Sequence, residues 1–78
     1  MDGHTVHGDR IRAIREENLM SLRDLAAKSG VSYSYLKYIE VEGRQPTGII
    51  AHKIANGLDC KITDFTTPAP TAKLATAR

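Results

Sequence analysis

Residues 21–40 read SLRDLAAKSGVSYSYLKYIE, and this stretch decides the fold. Ser21 is placed to cap a helix with its side chain, and Asp24, three residues on, completes a capping-box pattern. Leu22, Leu25, Ala26 and Ser29 recur at the three-and-four spacing of one helical face. Gly30 allows a left-handed turn that a residue with a β-carbon resists. Val31 follows as an apolar plug, and Ser32 caps a second helix whose buried side is Leu36 and Ile39. Ala26 is small, as two helices crossing closely near the turn require.

Outward from this stretch, size and composition set bounds. A chain of 78 residues is one small domain. Such a domain buries only roughly 60% of its unfolded surface, so its stability is modest. All-helical packing, supplemented by a dimer contact, is the economical way to a core. No run of about 18 apolar residues exists, which excludes a helical membrane span. The opening MDGHTVHGDR is polar and lacks the apolar region of a signal peptide, so a cytosolic protein is expected. One cysteine, Cys60, excludes an internal disulfide. The net charge of +2 and sequence pI of about 8.9 permit nucleic-acid binding without demanding it. A basic face has to come from the distribution of charge, because acidic residues cluster at Glu16–Glu17 and at Glu40 with Glu42.

Along the chain, residues 1–4 read as a disordered N-terminus. A first helix is expected from near Val6 to Glu17, capped by Thr5 or restarted at Asp9. Ile11 and Ile14 are its core contacts, His7 lies one turn earlier on the same side, and Arg10, Arg12 and Arg15 take other faces. Asn18 suits a left-handed helix end, with Leu19 and Met20 folding back onto the core. EGRQPT is a loop punctuated by Gly43 and Pro46. Thr47 caps a fourth helix, Gly48 to about Gly57, carrying Ile50, Ala51, Ile54 and Ala55. Gly48 is a poor helix former that lets another backbone approach. Leu58 belongs to the core, and KITDF reads as a short fifth helix whose Ile62 and Phe65 close the bundle. From Thr67 the tail is Ala-, Thr- and Pro-rich, too small to pack, and is expected to be flexible. The predicted architecture is therefore all-α: a compact five-helix bundle over residues 5–66 with a flexible tail, 67–78.

A small residue four before the turn glycine, a β-branched residue after it, and apolar residues six and nine after it have the spacing of a helix-turn-helix. With Arg10-Ile11-Arg12, Leu25-Ala26, Ser29-Gly30-Val31-Ser32, Tyr35-Leu36 and Ile39-Glu40 in register, the chain from about Gly8 to Phe65 resembles the Cro/repressor-like (Xre-like) helix-turn-helix family. The resemblance implies a lambda-repressor-like DNA-binding fold and a sequence-specific transcriptional regulator of repressor or Cro type; the chain's size suits a phage or mobile-element repressor, a Cro-type switch or a restriction-modification control protein. It also implies a cytoplasmic, nucleoid-associated protein whose partner is double-stranded DNA, bound as a homodimer. In the family, the pair matching Arg15 and Glu40 ties the first helix to the end of the third. Two departures stand out. Leu19 occupies the family's usual glycine position, and the glycine ending the third helix, Gly43, comes one place late.

Projected at roughly 100° per residue, the third helix separates into two sides. Ser32, Tyr35, Leu36 and Ile39 fall together, and Tyr33, Ser34, Lys37, Tyr38 and Val41 fall on the other side. A core needs only the first group. The leading residues of a recognition helix reach base edges in the major groove, so Tyr33 and Ser34 are the first base-contact candidates. Tyr38 and Lys37 follow one turn later, and the resemblance gives the positions of Tyr33, Ser34 and Tyr38 most base contacts. Phosphate contacts are expected from Ser21 and Arg23 at the start of the second helix, where free N–H groups favour anions. Arg44, Gln45 and Thr47 flank the other end. The dimer contact is expected at Leu58, Cys60, Ile62 and Phe65.

Other chemistry has little to stand on. His4, His7, His52 and Cys60 do not have the spacing of a four-ligand zinc site, so no metal and no cofactor is expected. His52 reads as a half-buried residue of the fourth helix. No Ser–His–acid set or glycine-rich phosphate loop is visible, so an enzyme is not expected. No small-molecule effector is expected to act within this polypeptide. Two rival readings are an antitoxin-like partner whose tail folds on a toxin, and a DNA-bending recombination accessory protein.

Overall fold

Each helix of the computed structural model, which describes residues 4–68, begins and ends where local chemistry stops the backbone. The order is β1 (His4–Val6), α1 (Gly8–Glu17), α2 (Leu22–Ser29), α3 (Tyr33–Glu42), α4 (Gly48–Leu58), a 3₁₀ turn (Ile62–Asp64) and β2 (Thr66–Pro68). Ser21 Oγ accepts from the Asp24 N–H at 3.0 Å, and Asp24 Oδ2 accepts from the Ser21 N–H at 2.9 Å, closing the capping box of α2. Ser32 and Thr47 cap α3 and α4 through the N–H groups of Tyr35 and Ile50. Gly30 and Gly43 end α2 and α3 in the left-handed region, at φ 76° and 74°.

α2 packs on α4, and α1 and α2 each pack on α3. Ile11, Leu25, Leu36, Ile39, Ile54 and Phe65 are fully buried where these helices meet. Each such side chain contributes roughly 1.5–3 kcal/mol relative to exposure. Two glycines set the spacing. A β-carbon on Gly8 would strike the Ile39 carbonyl and lie 2.9 Å from Glu40 Cα. One on Gly57 would lie 2.8 Å from Ser29 Cβ. These close approaches join α1 to α3 and α4 to α2.

Several expectations are corrected. Among the described residues there are four α-helices, and KITDF supplies only a 3₁₀ turn: the Phe65 carbonyl accepts from the His7 N–H at 2.8 Å, and the chain passes at once into β2. The chain adds a two-stranded antiparallel ribbon, β1–β2, pairing Thr5 with Thr67 and Val6 with Thr66. The boundaries drawn at residues 4/5 and 66/67 thus fall inside strands, and α1 starts two residues later than expected. His7 precedes α1 without a side-chain cap, and its Nε2 pairs with Thr67 Oγ1 at 2.9 Å. The expected disorder of residues 1–3 and flexibility of 69–78 lie outside the described residues. Asn18 has φ −92°, and Leu19 takes the left-handed conformation instead, at φ 55°. Its side chain is 93% exposed; only Met20 turns back onto the core. Gly48 admits no close neighbour, because nothing lies within 4 Å of its would-be β-carbon. His52 is exposed, with Nδ1 3.1 Å from the Gly48 carbonyl oxygen.

Candidate nucleic-acid interface

α3 is held by its apolar side and by its far end. Leu36 and Ile39 are buried in the core. At the end of the helix, Arg15 of α1 reaches across to Glu40. Arg15 Nε donates to Oε2 and Nη2 donates to Oε1, each at 2.9 Å, while Nη1 donates to the Met20 carbonyl at 2.9 Å. The two side chains are only 12% and 4% exposed. A bidentate pair of this kind fixes direction as well as distance. Its hydrogen bond to Glu40 is the main reason the Arg15 guanidinium is held above its ordinary pKa, against the opposing effect of burial. The orientation of α3 is thereby tied to α1.

The opposite side of α3 is free. Tyr33 is 38% exposed, Tyr38 46% and Val41 69%. Ser34 and Lys37 lie exposed between them. Ser34, Lys37, Tyr38, Val41 and Glu42 line a shallow depression of about 260 Å³. The structure therefore brings the four residues named as base contacts onto one exposed strip.

The flanking residues divide. The Arg23 guanidinium carbon lies 5.0 Å from the Tyr33 ring centre. That of Arg44 lies 5.8 Å from the Tyr35 ring and 5.9 Å from the Tyr38 ring. Such contacts are worth about 0.5–1 kcal/mol at exposed sites. These pairs do not follow from helical periodicity, because each arginine comes from a neighbouring segment. Ser21 is largely committed to its capping box. The Asp24 carboxylate there is held below its ordinary pKa chiefly by hydrogen bonds from Ser21. What remains for an anion there is the pair of N–H groups of the first helical turn that the capping box does not use. Thr47 similarly spends its oxygen on the Ile50 N–H.

Gln45 is placed otherwise than expected. Its Oε1 accepts from the Val6 N–H at 2.8 Å and its Nε2 donates to the Val6 carbonyl at 2.9 Å. It clamps the outer edge of β1 as a further strand would, and both ends of its amide are engaged there. Two of the four residues expected at a dimer contact are also placed inside the subunit. Leu58 and Phe65 are core residues, 2% and 0% exposed, so their surface is already used inside the subunit. Cys60 and Ile62 are half-buried. The Cys60 thiol is pushed above its ordinary pKa, first by burial and then by Asp64 and Asp59. Among the described residues, no group of three or more His, Cys, Asp or Glu could hold a metal ion. No helix there is long and apolar enough to cross a membrane.

The helix-turn-helix family model matches residues 11–65, most of the chain. An uncharacterised HTH-type transcriptional regulator of Mycobacterium bovis is 47% identical over 51 residues, 65% of this chain, and counterparts in Mycobacterium tuberculosis match equally. The chain spans about a fifth of the length of these curated relatives. Among solved structures, the restriction-modification controller protein C.AhdI of Aeromonas hydrophila superposes with a TM-score of 0.71 at 29% identity, covering 74% of this chain and 88% of that one. The N-terminal DNA-binding domain of SinR from Bacillus subtilis gives a TM-score of 0.67 at 37% identity, covering 72% and 83%. The family model covers well over half of the chain, and the chain belongs to the Cro/repressor-like (Xre-like) helix-turn-helix family.

Proposed function

We propose that the chain is a DNA-binding transcriptional regulator that reads the major groove with α3. The observation that carries this reading is the exposed strip Tyr33, Ser34, Lys37 and Tyr38 on a helix whose direction is held by the Arg15–Glu40 pair. An α-helix fits the major groove, and hydroxyl groups can donate to or accept from base edges there. Tyr33 and Ser34 lead, Tyr38 and Lys37 follow, and Arg23 and Arg44 supply phosphate contacts on either side. Membership of the helix-turn-helix family supports the class of function. C.AhdI, a restriction-modification controller protein, offers one concrete version of it.

A dimer placing two recognition helices about 34–36 Å apart is part of the proposal. The apolar surface available to such a contact is Ile62 and Cys60, with Ile49 73% exposed at the start of α4. Sedimentation with and without DNA tests this, and a strict monomer in both removes the dimer.

The main test is selection of bound sites from random duplex DNA, by the parent and by Ser34→Ala and Arg44→Ala. Ser34→Ala is expected to relax preference at one position of the site. Arg44→Ala is expected to weaken all sites alike and to flatten the salt dependence by about one unit. A parent that enriches no sequence and binds duplex DNA without salt dependence refutes the reading.

A further inference from the structure

We propose that the tyrosine rings of α3 are positioning residues for the flanking arginines, so that α3 orients phosphate contacts as well as base contacts. This rests on the DNA-binding reading above. Arg23 comes from the first turn of α2, and its guanidinium lies 5.0 Å from the centre of the Tyr33 ring on α3. Arg44 comes from the loop after α3. Gly43, in the left-handed region, turns the chain so that the Arg44 N–H donates to the Tyr38 carbonyl at 3.2 Å. The Arg44 guanidinium then lies near the Tyr35 and Tyr38 rings, 5.8 and 5.9 Å from their centres. Tyr35 and Tyr38 are one turn apart and form a two-ring seat.

The consequence is a division of labour within each tyrosine. A ring face that holds a guanidinium leaves the hydroxyl and outer edge free for a base. An arginine stacked on a ring keeps its outward N–H groups for phosphate oxygens and loses less conformational freedom when it binds. Both ends of α3 carry such an arginine. The late position of Gly43 sets which rings Arg44 can reach. With the turn one residue earlier, the loop would leave the helix about 100° away around its axis.

Three single variants, Tyr33→Phe, Tyr33→Leu and Arg23→Ala, and one double variant separate the roles, each assayed on a selected site and on unrelated duplex across a salt series. Tyr33→Phe keeps the ring and is expected to hold affinity for unrelated duplex and the parental salt slope. Tyr33→Leu is expected to weaken both duplexes about three- to tenfold and to approach the salt slope of Arg23→Ala, about one unit shallower than the parent. On unrelated duplex, where Tyr33 makes no base contact, the double variant Tyr33→Leu/Arg23→Ala is expected to be no weaker than Arg23→Ala alone. Equal behaviour of Tyr33→Phe and Tyr33→Leu, or additive losses in the double variant, overturns the proposal.

A measurement on the free protein keeps it distinct from the DNA reading. Ring-current shifts of the Arg23 side-chain protons are expected in the parent and in Tyr33→Phe, and are lost in Tyr33→Leu. Their absence from the parent overturns the positioning role even if DNA is bound. Their presence in a protein that binds no duplex refutes the functional reading instead, and the phosphate role falls with it.

Discussion

Arg15 and Glu40, 25 residues apart, share two hydrogen bonds of 2.9 Å in parallel, and both side chains are nearly out of reach of water. Glu42, two residues on, is exposed. Removing one member of a buried pair strands the other charge, at about 3–5 kcal/mol, whereas an exposed carboxylate is worth little. Glu40→Ala is therefore expected to lower the denaturant midpoint far more than Glu42→Ala. Equal midpoints would show that the pair does not hold α3 to α1.

Gly8 and Gly48 both stand at the first position of a helix and should respond to alanine in opposite directions. At Gly8 the added carbon meets the backbone of Ile39 and Glu40, which cannot move without shifting α3. Overpacking of this kind costs about 1–3 kcal/mol. At Gly48 the carbon meets nothing within 4 Å. Alanine there is expected to stabilise by up to about 1 kcal/mol through helix propensity. Thermal melts of the two single variants check both signs.

Gln45→Ala separates a clamp from a phosphate contact. Losing both bonds to the Val6 backbone leaves a part-buried N–H and carbonyl without those partners. That is expected to cost about 1–3 kcal/mol of stability. Because the amide faces β1, the salt slope of DNA binding is expected to stay at its parental value. A shallower slope with unchanged stability would restore the phosphate role.

The α2 capping box should be visible in acid. Asp24 is held below its ordinary pKa chiefly by the hydrogen bonds from Ser21, so the folded state favours its ionised form. Its contribution is complete above the unfolded-state value, about 3.9, and is lost as pH falls through the lower folded-state value. Asp24→Asn is expected to flatten that part of the stability–pH curve. Curves that stay parallel through this range would exclude Asp24 as the source.

These outcomes bear on how far residue order reaches. Ser21, Asp24, Gly30, Ser32 and Thr47 act through bonds spanning three or four residues. Local spacing is therefore sufficient to read them, and with them α2, α3, α4 and the exposed strip of α3 were legible. The five-helix count failed at KITDF. There an apolar pair compatible with one helical turn satisfies a 3₁₀ turn equally well, and what ends the turn is the pairing of the next residues with β1, a contact some 60 residues away along the chain. The core places of Leu58 and Phe65 were legible, but not that burial leaves them no surface for the dimer contact also expected of them. A buried core residue and a dimer contact look alike as letters.

Helical periodicity, the capping residues and Gly30 by themselves settled which side of each helix is apolar and where the turn between α2 and α3 falls, since all depend on neighbours within about one turn. Only the tertiary structure decided what crosses between distant segments: the β1–β2 ribbon, the Gln45 clamp on Val6, the Gly8 contact with Ile39, and the arginines lying over the α3 rings. The physical reason is that each of these joins groups whose approach is set by how the helices pack, and no spacing along the chain encodes it.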